Sequence, residues 1–98
     1  MNFKIIGTGG FAVELFGLLI SSGHEVIGCY GPRPDRMPSR IWLGDDRNWE
    51  VGDKVPHLIA IGDPLKRRDL FFRAKYSGLE LGSFIHPSAH LSSHVEFG

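Results

Sequence analysis

The sequence predicts an α/β chain: a parallel sheet with flanking helices, followed by the start of a hexapeptide-repeat β-helix. Three observations predict it. A short apolar run rich in β-branched residues, Phe3-Lys4-Ile5-Ile6, ends in the glycine turn Gly7-Thr8-Gly9-Gly10 and leads into apolar residues at helical spacing. The same order of run, turn and helical stretch recurs around Gly62-Asp63-Pro64. From Ile85 onward an apolar residue stands at every sixth position, with Ile85, Leu91 and Phe97 first in their hexads, Ala89 and Val95 fifth, and Gly98 second.

Size and charge bound what such a chain does. With 98 residues it has room for one compact unit, which buries roughly 60 to 70% of its extended surface. Apolar residues at 42% and charged residues at 22% match an ordinary globular chain, which disfavours disorder and fibrous classes. Eleven basic residues balance eleven acidic ones, so the electrostatic footprint of a nucleic-acid or membrane-surface binder is missing and neither partner is expected. The longest apolar run is too short to span a bilayer. Met1 leads straight into the first strand without a basic leader, so a cytoplasmic location is expected. Cys29 is alone, which leaves no internal disulfide or CxxC motif and predicts a buried, inert thiol.

The elements follow in order. The first strand covers Phe3 to Ile6. The helix after it carries Phe11, Leu15, Leu18 and Leu19 on one face, and Gly23 suits the position just past its end. Gly17 inside it costs about 1 kcal/mol against Ala; either it packs closely on the sheet or it is a plain interior glycine. Glu25-Val26-Ile27-Gly28-Cys29-Tyr30 is the second strand, which completes a βαβ unit with a right-handed crossover. From Gly31 to Val55 the prolines and glycines predict irregular chain, with at most a short strand near Ile41-Trp42-Leu43 and with Trp42 and Trp49 as packing anchors. His57-Leu58-Ile59-Ala60-Ile61 is a third buried strand. Asp63 can cap the next helix and Pro64 can open it; it runs from about 65 to 76, buries Leu70, Phe71 and Ala74, and ends at Gly78. A short strand over 79 to 84 then leads into the hexads, so the expected division is 1–83 and 84–98. Hexad coils bury their apolar edges only by stacking, and about three repeats are needed for stability, so the chain reads as the front part of something larger.

Several residues have the chemistry of a site. Gly7-Thr8-Gly9-Gly10-Phe11-Ala12 fits G-x-G-x-x-G/A between a strand and a helix, where small residues let backbone approach a phosphate and the helix N-terminus favours an anion. A nucleotide or nucleotide-sugar pyrophosphate fits this turn; the alternative is that the glycines only pack helix on strand. An NAD site would add an acid at the end of the second strand, where Cys29, Tyr30 and Gly31 stand. Arg33 just beyond can meet a 2′-phosphate, which keeps an NADP-binding reductase as an alternative. Gly62 and Asp63 lie at a strand's carboxyl end, where open α/β sheets bind ligands. There Asp63 either holds a sugar hydroxyl or caps the helix, and Arg67 either reaches a phosphate or stays solvated. His86, His90 and His94, spaced by four, resemble metal ligands on a helix. The hexad frame points them in different directions and Pro87 breaks a helix there, so no metal site is expected.

From Lys4 to Gly98 the order of these features resembles the sialic-acid O-acetyltransferase and bacillosamine N-acetyltransferase family, the NeuD/PglD-like sugar acyltransferases. Ile6-Gly7-Thr8-Gly9-Gly10-Phe11-Ala12 resembles the family's IIGxGG start. Ala60-Ile61-Gly62-Asp63 with Arg67 resembles AIGDNxxR, and Phe84-Ile85-His86-Pro87-Ser88-Ala89 resembles the IHPSA segment before the hexads. Leu43-Gly44-Asp45-Asp46 looks like its short LGD segment. The resemblance implies a Rossmann-like domain that holds a nucleotide-linked sugar through Gly7, Thr8, Gly9, Gly10, Phe11, Tyr30, Gly62, Asp63 and Arg67. It also implies a left-handed β-helix that trimerises and binds acetyl-CoA. The family's acceptor-activating histidine lies deeper in that β-helix, so the resemblance assigns no catalytic residue and no acetyl-CoA to these 98 residues, which are expected to be inactive alone and monomeric or weakly associated. The chain departs from the family at Phe11, where His is usual, at Tyr30 and Gly31, where an Asp pair is usual, and at Pro64, where Asn is common.

Residues 11–13, 22–27 and 33–36 also look like the start of methionyl-tRNA formyltransferases and related sugar formyltransferases; the second half does not. A non-catalytic structural Rossmann module, its glycine turn empty, is the remaining alternative.

Overall fold

A computed structural model of the chain describes residues 1–84 and 95–96. Strand β1, Asn2–Ile6, is followed by helix α1, Gly10–Ser21, and strand β2, Glu25–Tyr30. A long connection with one short 3-10 turn, Ser39–Ile41, leads to strand β3, His57–Ile59, and helix α2, Pro64–Tyr76. Strands β4, Ser83–Phe84, and β5, Val95–Glu96, complete the described elements.

The first strand is the central one. The sheet order is β2-β1-β3, all parallel, with Ile6 opposite both Tyr30 and Ile59. β3 is buried along its length and β1 and β2 over their carboxyl halves, Ile5-Ile6 and Gly28-Cys29-Tyr30, and such stretches of parallel strand read as apolar runs. Each edge gains a partial neighbour. Trp42 bridges Cys29 in parallel and Leu43 N donates to Cys29 O at 2.9 Å. On the far side Leu81 bridges His57, flanked by His57 N to Glu80 O at 2.8 Å and Gly82 N to His57 O at 2.9 Å. The short strand expected near Ile41 is thus a single bridging residue after a 3-10 turn, and the segment expected over 79 to 84 divides between the sheet edge and β4.

α1 turns Ala12, Leu15 and Leu19 into the core against Phe3, Ile5 and Cys29. The apolar stripe is therefore rotated from the expected one: Phe11 is exposed, because the small Ala12 takes the inward position of the first turn. Gly17 is exposed too, and a Cβ there would meet nothing within 4 Å, which identifies a plain interior glycine. Gly17→Ala is expected to stabilise the chain by about 1 kcal/mol, raising Tm by roughly 4–8 °C in a thermal melt. No change on substitution would show that this helix turn contributes nothing to the folding transition.

α2 packs on β3 through buried Leu70 and Ala74, with Phe71 half-buried beside them. The indole N–H groups confirm two anchors. Trp42 donates to Gly31 O at 2.9 Å and Trp49 to Ser77 Oγ at 3.2 Å. Cys29 is fully buried and its thiol is pushed up to about 11 by burial, as an inert thiol requires.

β4 and β5 pair antiparallel, Ser83 with Glu96 and Phe84 with Val95. Stacked hexad coils run parallel, so this pair is not a coil contact, and no β-helix coil occurs among the described residues. The residues at 85–94 and 97–98, which carry most of the expected hexads and His86, His90 and His94, lie outside the described residues. The described residues form a three-stranded parallel Rossmann-like sheet with two helices.

Candidate functional site

Strand order fixes where a site can form. From central β1 the chain steps to one side into β2 and then crosses to the other side into β3, so the order reverses between β1 and β3. Open α/β sheets hold ligands at such a switch point, beyond the strands' carboxyl ends. The carboxyl ends of β1, β2 and β3 here surround a cleft of two chambers that share Pro32, Ile61 and Lys66.

The larger chamber, about 400 Å³, is lined by Thr8, Gly9 and Gly10 from the glycine turn and by Arg33, Asp35 and Arg36 from the segment after β2. That volume lies within the range of small-molecule sites, roughly 300–1,000 Å³. With Lys66 it brings three cations against one carboxylate, and none of the three is paired with an acid among the described residues. The smaller chamber, about 200 Å³, is walled by Ile6, Tyr30 and Leu70, with Gly7, Asp45 and Asp46 beside them. A more open hollow of about 530 Å³ beside Trp49, Phe72 and Tyr76 lies along α2, away from the strand ends and the glycine turn.

The glycines of the turn divide into two kinds. Gly7 has φ +137°, and a Cβ on it would collide with the carbonyl oxygen of Ala60. Its N–H donates to Tyr30 O at 2.7 Å, so it holds three strand ends together. Packing alone requires a glycine at position 7. Gly9 is different: it is exposed, and a Cβ there would meet nothing within 4 Å. It is the N-cap of α1, which no side chain caps, so its smallness leaves backbone open to the cleft at the positive end of the helix. Gly10 is likewise exposed, with the Arg36 guanidinium 3.7 Å from where its Cβ would stand. Thr8 joins this turn to the next, its Oγ1 donating to Pro32 O at 2.7 Å.

The remaining expected residues separate. Tyr30 is buried and lines the smaller chamber. Burial raises its phenol above the usual value, against the pull of Lys4, so it stays a neutral donor. Phe11 lines neither chamber. Asp63 caps α2, its Oδ1 accepting from Leu65 N at 3.0 Å, and Arg67 Nη1 donates to Ile61 O at 3.3 Å. Gly62, Asp63 and Arg67 line neither chamber; Lys66, one residue earlier on the helix, lines both. The sequence offered no site role for Lys66, Arg36 or Asp35, and only the turn of α2 and the path of the chain after β2 bring them to the cleft.

Among the described residues no group of three or more His, Cys, Asp or Glu is placed to hold a metal ion, and no helix is long and apolar enough to cross a membrane. No family model and no curated protein sequence matches the chain. Among solved structures it is similar to a point variant of GDP-perosamine N-acetyltransferase from Caulobacter crescentus in complex with CoA and GDP-perosamine, with a TM-score of 0.71 and 30% identity, covering 90% of this chain. The chain spans 44% of that enzyme's length.

Proposed function

We propose that this chain, similar over 90% of its length to a PglD/NeuD-like sugar N-acetyltransferase, is the part of such an enzyme that holds a nucleotide-linked sugar. The larger chamber carries the reading. It joins an uncapped helix N-terminus and a glycine with no packing duty to three cations unpaired with any acid among the described residues. That combination suits a phosphate ester better than a neutral metabolite, since backbone N–H groups and guanidinium forks both favour anionic oxygens. The complex of the similar enzyme with GDP-perosamine supports the same class of ligand.

In the whole enzyme, acetyl-CoA is the acyl donor, a choice supported by the CoA in that complex. The sugar's hydroxyl or amine attacks the thioester carbonyl and CoA leaves as the thiol, in a β-helix that begins within 84–98 and assembles as a trimer. Residues 1–83 bind and orient the acceptor, and the reaction belongs to the cytoplasm. These 98 residues contribute recognition, and no acetyl transfer is assigned to them.

Isothermal titration of the chain with GDP-, UDP- and CMP-sugars and with NADPH tests the reading. NADPH is included because Arg33 and Arg36 beyond β2 also suit a 2′-phosphate. At least one sugar nucleotide is expected to bind more tightly than NADPH. The reverse ranking would overturn the proposal in favour of a reductase domain.

A further inference from the structure

We infer that Lys66, and not the neighbouring Arg67, grips the bridging diphosphate of the ligand. This rests on the nucleotide-sugar reading for the identity of the ligand's two organic ends, but not for the anion site itself. Among the described residues, Lys66 is the only charged one that lines both chambers of the cleft. It stands in the first turn of α2, whose own N-terminus is already capped by the Asp63 carboxylate, so the charge offered to the cleft from this helix is that of the lysine. A nucleotide-linked sugar carries its negative charge in the middle, with an organic group at each end. A cleft with one cation at the junction of two chambers matches that distribution.

Arg67 is already committed. Its guanidinium bonds back to the Ile61 carbonyl and secures the turn between β3 and α2, which makes it a positioning residue. Adjacent helical residues point about 100° apart, so both cannot face the cleft. Lys66 is exposed, pairs with no acid among the described residues, and carries three donors on a flexible stem that can follow a phosphate.

The test titrates inorganic pyrophosphate, GDP- and UDP-sugars, and uncharged guanosine and uridine against the wild type, Lys66→Ala, Lys66→Arg and Arg67→Ala. Thermal melts confirm that each variant folds. Lys66→Ala is expected to weaken pyrophosphate and sugar-nucleotide binding about tenfold or more, to leave nucleoside binding unchanged, and to flatten the salt dependence of affinity. Lys66→Arg should restore most of the loss. Pyrophosphate binding that depends on Lys66 upholds the inference even where no sugar nucleotide binds, in which case the proposed function alone fails. Sugar-nucleotide binding that survives Lys66→Ala within about twofold overturns the inference alone, as does a larger loss from a folded Arg67→Ala. A wild-type chain that binds neither pyrophosphate nor any sugar nucleotide overturns both.

Discussion

Gly7→Val is expected to unfold the chain under mild conditions, with a loss of about 3 kcal/mol or more and a fall in Tm of roughly 12 °C or more. The left-handed φ of +137° opposes any side chain, and a Cβ would run into the Ala60 carbonyl. That carbonyl cannot swing aside cheaply. Ala60 is buried and its own N–H is bound to Ile6 O at 2.8 Å, so relief would require parting β1 from β3. Gly7→Ala should show the same sign with a smaller magnitude. Gly9→Ala is the contrast: a Cβ there enters open space, so stability should change by no more than about 0.5 kcal/mol. Its effect belongs to ligand affinity. Urea unfolding followed by circular dichroism, with nucleotide titration in parallel, reads both quantities, and equal destabilisation by Gly7→Ala and Gly9→Ala would contradict the division of the motif into packing and approach.

The second large effect lies beneath the sheet's other end. Asp53→Ala should cost about 3 kcal/mol, the usual outcome when one member of a buried ion pair is removed. Lys4 Nζ is bonded to Asp53 Oδ2, and the two side chains retain only 14% and 9% of their exposure. Asp53 Oδ1 also accepts from Val55 N at 3.0 Å, which shapes the turn into β3. His57 is fully buried in the same cluster, stacked on Tyr30, with Nδ1 at 2.6 Å from Val55 O. A carbonyl only accepts, so Nδ1 carries the proton and Nε2 is left bare, 3.8 Å from Asp53 Oδ2.

That cluster predicts acid sensitivity in two steps. Burial holds His57 below its ordinary value of 6.5, and Lys4 adds to this, while the bond to Val55 and the Asp53 charge pull the other way. A depressed folded pKa means that the unfolded chain takes up the proton first, so this stability is complete above 6.5 and declines as pH falls toward the folded value. For Asp53, burial acts to raise the carboxyl, but the bonds from Lys4 and Val55 and the nearby charges hold it below 3.8. Its share is present above 3.8 and is lost as pH falls through the folded value. Thermal melts between pH 8 and pH 3 should therefore show an upper limb removed by His57→Leu and a lower limb removed by Asp53→Asn. A single limb insensitive to both variants would contradict the assignment.

How far the sequence reaches is set by the range over which its signals act. Strands buried on both faces announce themselves as apolar runs, and a capping Asp63 before Pro64 announces a helix start, because each depends on neighbours a few residues away. The glycine turn between β1 and α1, and Tyr30 at the end of β2, were placed for the same reason. The rest depends on rotation and on distant partners. Whether Phe11 or Ala12 faces the core, and whether Lys66 or Arg67 faces the cleft, turns on a single helical step that a short motif does not specify. Lys4 and Asp53 stand 49 positions apart, so the buried pair carried no sequence signal at all. Arg36 reached the cleft only through the irregular path after β2, where no periodicity exists to be read.

The placement of β1 between β2 and β3 has a consequence for how the chain is made. β1 leaves the ribosome before both of the strands it is hydrogen-bonded to, and the second of them, His57–Ile59, emerges well after the first. Until then one whole ladder of β1 is unpaired, exposed to pairing with another copy of the chain. A topology built on such distant pairings folds slowly for its size. Synthesis pauses between Tyr30 and His57 are therefore the moments at which this chain is most exposed to aggregation, and the tightly closed seam at Gly7 and Ala60 is what ends that exposure.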